Sequence, residues 1–192
     1  MTIKTKALSD ELDNPFYIAN KTFCDKFEKY IISRNGQVKG EFNVWAYYVS
    51  GKINTPKEWV LSYKKSNYSS ISTAPIFQNK KQYKEYVLAL MVKWETRLVG
   101  NGVLKIRKRS IWDVFMLGFN KNVNLYSENR DYIIFSNKNN QELLHKLTTV
   151  LKPLYDSSEI FQIIHKENTL SIQISSDTHH FEIFEKLENK IT

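Results

Sequence analysis

Short alternating segments separated by tight turns recur along this chain, and they restrict it to folds built from antiparallel hairpins. The clearest pair is residues 161–165 and 170–174, which flank the turn residues 166–169. A second pair, residues 123–126 and 132–135, flanks another short polar turn. Strands joined by so short a turn run antiparallel, because a parallel connection needs a dozen or more residues. The sequence therefore predicts an α+β fold rather than a regular alternation of strands and crossover helices.

Helical patterns supply the second layer of the predicted fold. Apolar residues at helical spacing predict one helix over residues 20–33, a second that begins at Asn140, and a last one that begins near Phe181. Residues 42–49 and 59–64 alternate in the manner of strands, and they predict an N-terminal hairpin. With one more helix in the middle of the chain, the expected architecture is a set of antiparallel hairpins with about four helices packed on the sheet.

The most regular apolar pattern, over residues 80–98, predicts that further helix. Seven apolar side chains recur there at helical spacing, namely Tyr83, Tyr86, Val87, Leu90, Met91, Trp94 and Leu98. The cations Lys80, Lys81 and Lys84 argue against a helix start at this point, because they would crowd the positive end of its dipole. A long β-ribbon through the same residues is the competing interpretation.

Turn signals and changes in pattern divide the chain into three predicted parts. Residues 1–19 are expected to form a flexible arm, because they carry a turn signal at residues 13–15 and no periodic pattern. Residues 20–99 are expected to form a helix–hairpin–helix half, and residues 100–192 an antiparallel sheet with helices. The last two parts can also form one continuous domain, because 192 residues are enough to build a single large core.

Several classes of protein are excluded or disfavoured by composition. Cys24 is the only cysteine, which excludes an intramolecular disulfide and a thiolate metal site. No apolar run approaches the roughly 20 residues of a membrane span, and the N-terminal residues lack the pattern of a secretory signal. A cytoplasmic location is therefore expected. The frequent use of Ile, Lys, Asn and Tyr suggests an AT-rich bacterial genome.

The positive charge is concentrated in the first part of the chain. Residues 1–110 hold 20 Lys or Arg against 9 Asp or Glu, whereas residues 111–192 hold 8 against 11, and the net charge is +8. Such a basic block attracts nucleic acid, an anionic membrane surface or an acidic protein, although it is also typical of a solvated face. The predicted anion-binding residues are Lys64, Lys65, Lys80, Lys81, Lys84, Lys105, Arg107, Lys108 and Arg109. The predicted stacking residues are Tyr63, Tyr68 and Trp112.

Catalytic and cofactor signatures are absent from the sequence. No phosphate-binding glycine loop and no serine-hydrolase motif occurs, and the adjacent pair His179 and His180 is more typical of a polar helix start than of a metal site. The sequence therefore predicts a non-catalytic binding protein with no cofactor and no metal ion, and nucleic acid is its expected partner. Two alternatives stay open: a protein–protein interaction module with an acidic partner, and a phosphodiester-cleaving enzyme that uses Asp113.

A resemblance covers residues 102–176. The basic strand at residues 103–108, a bulky apolar segment that ends at Gly118, the segment Asp131-Tyr132-Ile133-Ile134 and the leucine-rich helix after it follow one another in this order. This order resembles that of uncharacterised bacterial domain-of-unknown-function proteins. The resemblance implies the order of the C-terminal strands, and it brings no known activity and no catalytic residue with it.

Overall fold

The computed structural model describes residues 2–73, 82–100, 102–113, 123–126, 129–136 and 140–191, with the backbone alone for residues 67–73, 82–88 and 123. The strands are β1 (Ile3–Thr5), β2 (Gln37–Phe42), β3 (Tyr47–Ile53), β4 (Trp59–Thr73), β5 (Gln82–Arg97), β6 (Leu104–Lys108), β7 (Val123–Leu125), β8 (Tyr132–Ser136), β9 (Ile160–Lys166) and β10 (Thr169–Ser176). The helices are α1 (Pro15–Ile32), α2 (Gln141–Asp156) and α3 (Phe181–Ile191), and a short 3-10 turn covers Ser9–Glu11.

All ten strands belong to one sheet, in the order β1-β2-β3-β4-β5-β10-β9-β6-β8-β7. Every neighbouring pair is antiparallel except β1 and β2, which run parallel. The pairing of β5 with β10 joins the N-terminal and C-terminal parts of the chain into a single sheet. The predicted α+β fold with antiparallel hairpins is thus confirmed.

The helix predicted over residues 80–98 is wrong, because residues 82–97 form strand β5. Three complete α-helices lie in the described residues, so the predicted number of about four is not confirmed. β5 is hydrogen-bonded to β4 on one side and to β10 on the other, so both edges of its backbone are satisfied along much of its length. Leu90, Val92 and Trp94 are buried at alternate positions. The spacing of four between Leu90 and Trp94 suits a helix, but it is also an even number and therefore suits a strand.

Residues 3–5, within the predicted N-terminal arm, form a strand of the sheet. Ile3 is only 1% exposed, and its strand pairs with β2. Helix α1 begins at Pro15, earlier than predicted, because the side chain of Asn14 caps it by accepting a hydrogen bond from the Phe16 amide at 2.9 Å. The predicted strand over residues 42–49 is also interrupted, since Asn43 Oδ1 accepts the amides of residues 45 and 46 and closes the turn between β2 and β3.

The helices pack on one face of the sheet, where a single core is continuous from β1 to α3. Phe23 of α1 and Phe184 of α3 both contact the ring of Tyr63 on β4, with centroid distances of 5.1 and 6.3 Å. Tyr155 of α2 contacts Tyr132 of β8 at 5.2 Å. We call the other side of the sheet the open face. The helix that begins at Asp113 touches this face where Asp113 binds Arg107.

The assignment of β5 as a strand predicts where a crosslink can form. Ser62 of β4 lies directly opposite Lys93 of β5. Ala89 is four residues before Lys93 on β5, about 13 Å along that strand. We expect Ser62→Cys/Lys93→Cys to be bridged efficiently by a thiol crosslinker no longer than two strand spacings, about 10 Å. Ser62→Cys/Ala89→Cys is the matched control and should not be bridged.

The readout is the loss of free thiols together with the change in gel mobility. Cys24 stays in place in both variants, because it is fully buried and burial raises its pKa to about 12. Equal yields for the two cysteine pairs would contradict the strand and its register.

Candidate functional site

A row of polar side chains crosses the open face on seven adjacent strands. The paired positions are Lys39, Ser50, Ser62, Lys93, Gln173, Gln162 and Arg107, in the order β2, β3, β4, β5, β10, β9 and β6. Neighbouring strands lie about 4.8 Å apart, so this polar row extends for about 29 Å. Most sheets that pack helices on one side keep polar residues on the other. The alignment of these residues into one row is what makes the face a candidate binding surface.

Hydrogen bonds and ion pairs organise the inner part of the polar row. Ser62 Oγ donates to Ser50 Oγ at 3.1 Å, and Gln162 Nε2 donates to Gln173 Oε1 at 3.0 Å. Lys93 Nζ lies 2.8 Å from Glu95 Oε1 on the same strand. The two glutamines keep further donor and acceptor capacity, because a side-chain amide forms more than one hydrogen bond. These contacts fix the inner side chains of the polar row, and the two glutamines can still bind a polar ligand.

Cations without a carboxylate partner lie around this row. Lys39, Lys64 and Lys105 belong to the open face, and none of them forms an ion pair with a carboxylate in the described part of the chain. Other cations of this face are paired: Lys52 with Glu58 at 2.7 Å and Arg107 with Asp113 at 2.7 Å. The unpaired cations give the open face an excess of positive charge.

An exposed aromatic ring accompanies one of these cations. Tyr48 of β3 lies directly opposite Lys64 of β4 on the open face, and 48% of it is exposed. Sequence reasoning overlooked Tyr48 and selected Tyr63, which is fully buried and whose hydroxyl donates to the carbonyl of His179. The ring of Tyr63 is thus part of the core and does not face solvent. Tyr48 could have been identified from the alternation of β3. Its neighbours Tyr47 and Val49 are buried, so the side chain of Tyr48 points to the opposite face.

The remaining predicted anion-binding residues do not form one patch. Lys65 extends to the helix side of the sheet, where its Nζ donates to Asn20 Oδ1 at 2.9 Å and burial lowers its pKa. Lys108 and Arg109 are exposed at the end of β6. Lys64 and Lys105 share the open face, but four strand spacings, about 19 Å, separate them.

Some predicted residues cannot be assigned to a surface. Lys80 and Lys81 lie outside the described residues, and only the backbone is described for Lys84 and Tyr68. Trp112 is 77% exposed, in a turn that follows β6. Its role in stacking stays a prediction.

The carboxylate of Asp113 accepts three hydrogen bonds. Arg107 Nη1 and Nη2 donate to its two oxygens at 2.7 Å each, and the Ser110 amide donates to Oδ2 at 2.6 Å. Asp113 is 3% exposed, and the Arg107 guanidinium holds the pKa of its carboxyl at about 2. A carboxylate with so low a pKa is a weak general base.

The adjacent histidines make two separate sets of contacts. His179 stacks on Phe23 at 3.8 Å, its Nε2 lies 3.0 Å from the Tyr47 hydroxyl, and burial lowers its pKa to about 4. His180 Nε2 instead lies 2.6 Å from Glu159 Oε2. No cluster of three or more His, Cys, Asp or Glu suited to a metal ion occurs in the part of the chain that the structure describes. Among the same residues, no helix has the length and apolar character needed to cross a membrane.

The ion pair between Arg107 and Asp113 predicts a loss of stability on Asp113→Asn. We expect the free energy of unfolding to fall by about 1–3 kcal/mol at pH 7, because the variant leaves the guanidinium without its carboxylate. The carboxylate contributes fully above its unfolded pKa of 3.8, and this contribution is lost as the pH falls towards about 2. Denaturant unfolding between pH 7 and pH 2 should show the two proteins converge on acidification, and a constant difference would contradict this account.

Comparisons of the chain with protein-family models, with curated proteins and with solved structures found no match. The function therefore has to be inferred from the chain's own residues.

Proposed function

We propose that this protein binds single-stranded nucleic acid on the open face of its sheet and does not cleave it. The observation that carries the proposal is the presence of Lys39, Lys64 and Lys105 on that face without a carboxylate partner among the described residues. Phosphate groups supply the negative charge that can pair with these lysines. Contacts with phosphate provide most of the affinity of non-specific nucleic-acid binding.

The polar row supplies contacts of a second kind. Its partly exposed residues Ser62, Gln162 and Gln173 present hydrogen-bond donors and acceptors, by which sugar hydroxyls and base edges of a bound strand can be recognised. The row extends for about 29 Å, which gives room for several nucleotides of an extended strand. A surface of this kind combines electrostatic attraction with uncharged polar contacts.

The exposed ring of Tyr48 favours a single strand over a duplex. Bases stack on aromatic side chains when they are unstacked from one another, and this happens in single strands and loops. Lys64 lies opposite Tyr48, so one nucleotide can place its base on the ring and its phosphate near the ammonium group. A duplex offers phosphates but buries the faces of its bases.

Charge removal on the open face tests the proposal. We expect Lys64→Ala/Lys105→Ala to bind a fluorescein-labelled oligo(U) or oligo(dT) at least about fivefold more weakly at low salt. The slope of log K against log salt should become less steep by about 1.4, because two phosphate contacts are removed. The measurement is fluorescence anisotropy at several salt concentrations, with Mg²⁺ present so that cleavage is also seen.

The matched control is Lys29→Ala/Lys186→Ala. It removes the same charge from exposed positions on α1 and α3, which pack on the helix side of the sheet. We expect this variant to bind like the parent. Equal losses in both variants, or no binding by the parent, would overturn the proposal. Binding of poly-glutamate but not of either oligonucleotide would favour an acidic protein partner, and cleavage of the probe would favour an enzyme.

Stacking on Tyr48 is tested by a second pair of variants. We expect Tyr48→Ala to weaken binding of the same oligonucleotides by about 1–3 kcal/mol, because the stacking surface is removed. Tyr48→Phe keeps the ring and should bind like the parent. Since Tyr48 is half exposed, neither change should shift the thermal midpoint by more than a few degrees. If both variants bind alike, Tyr48 has no stacking role.

A further inference from the structure

A tight turn at the end of β6 presents two large apolar side chains to solvent. The Asp113 amide donates to the Ser110 carbonyl at 3.1 Å, which closes a four-residue turn with Ile111 and Trp112 at its two central positions. Ile111 is 86% exposed and Trp112 is 77% exposed. A helix begins at Asp113, so Ile111 and Trp112 lie where the chain turns from β6 into that helix.

This turn, residues 110–113, is held in place by contacts that are themselves largely buried. Asp113 is 3% exposed, and its carboxylate binds both the Arg107 guanidinium and the Ser110 amide. The turn is therefore fixed to β6 at both of its ends. Because its base is fixed, Ile111 and Trp112 are presented to solvent at little further cost in conformational entropy.

Cations surround the base of the turn. Lys108 and Arg109 precede it and are exposed, and the Arg109 amide donates to the carbonyl of Asp131 at 2.7 Å, which brings Arg130 close to them. None of these three cations pairs with a carboxylate in the described ranges. The acidic residues described beside them are Asp131 and Asp113, and Asp113 is paired with Arg107. The exposed apolar tip thus has a net positive base.

We propose that the 110–113 turn inserts Ile111 and Trp112 into the interface of an anionic lipid bilayer, while the cations at its base contact the lipid headgroups. Tryptophan favours the boundary between headgroups and acyl chains, and an aliphatic side chain gains by leaving water for hydrocarbon. Lysine and arginine near the surface are attracted to anionic lipids. The turn combines these features within a few residues, in the arrangement by which surface-binding proteins attach without crossing a membrane.

Ile111 decides between a bilayer and nucleic acid as the partner of this turn. A nucleic acid can stack on Trp112 and pair with the cations, but it buries little of an exposed aliphatic side chain. A bilayer uses all of these groups. The positive base of the turn also selects an anionic surface over a zwitterionic one.

The test uses the full chain and two kinds of vesicle, phosphatidylcholine alone and phosphatidylcholine with one third phosphatidylglycerol. We expect sedimentation with the anionic vesicles only, and quenching of tryptophan emission by brominated acyl chains in those vesicles. Ile111→Ser/Trp112→Ser should lower the partition coefficient at least about tenfold, because two buried apolar side chains are removed from the bound state. Trp112→Phe should lose the quenching and keep most of the binding.

The matched control is Val99→Ser/Val103→Ser, which removes two other exposed apolar side chains, 82% and 50% exposed. It should partition like the parent. Partition of the 110–113 double variant equal to that of the parent, or no binding of the parent to anionic vesicles, would overturn the proposal. Oligonucleotide binding by Ile111→Ser should equal that of the parent, so failure of the lipid site is distinguishable from failure of the nucleic-acid site.

Discussion

The pairing of β5 with β10 is the interaction on which the rest of this structure depends. It runs from Arg97 opposite Thr169 to Leu90 opposite Ser176 and joins the two parts of the chain edge to edge. Side chains alternate between the faces of a sheet, so a slip of one residue in this register would turn every side chain of one half to the wrong face. The observed register aligns Lys93 with Gln173. It thereby makes the polar row continuous, while Trp94 and Ile172 enter the same core.

The hairpins and most helices could be predicted because they depend on short stretches of sequence. The turn at residues 166–169 specifies the β9–β10 hairpin, and the leucine stripe predicts α2. β5 was predicted as a helix, with a β-ribbon as the alternative, because its apolar spacing fits both structures and the partner that decides between them is distant in sequence. These residues form a strand rather than a helix because β4 and β10 supply hydrogen-bond partners for both edges of its backbone. β1 was missed for the same reason, since three residues become a strand only through their pairing with β2.

The candidate site was predictable in charge but not in arrangement. Composition locates the basic block, but only the core decides that Lys64 faces the open side while Lys65 extends towards Asn20. Side chains alternate between the two faces of each strand, and the same alternation buries Tyr63 in the core and exposes Tyr48 on the open face. Asp113 stood out in the sequence as the acid placed near cations. In the structure it forms a bidentate ion pair with Arg107.

The most direct test of a binding site on the open face uses side-chain amide signals in NMR spectra. The amide groups of Gln162 and Gln173 belong to the polar row on the open face. The amide group of Asn20 lies on the helix side, where it donates to the carbonyls of Asn43 and Val44. On titration with a short single-stranded oligonucleotide, the account predicts that the signals of both glutamines shift in a saturable way and that the signal of Asn20 does not. Unchanged glutamine signals at saturation, or a shift confined to Asn20, would contradict it.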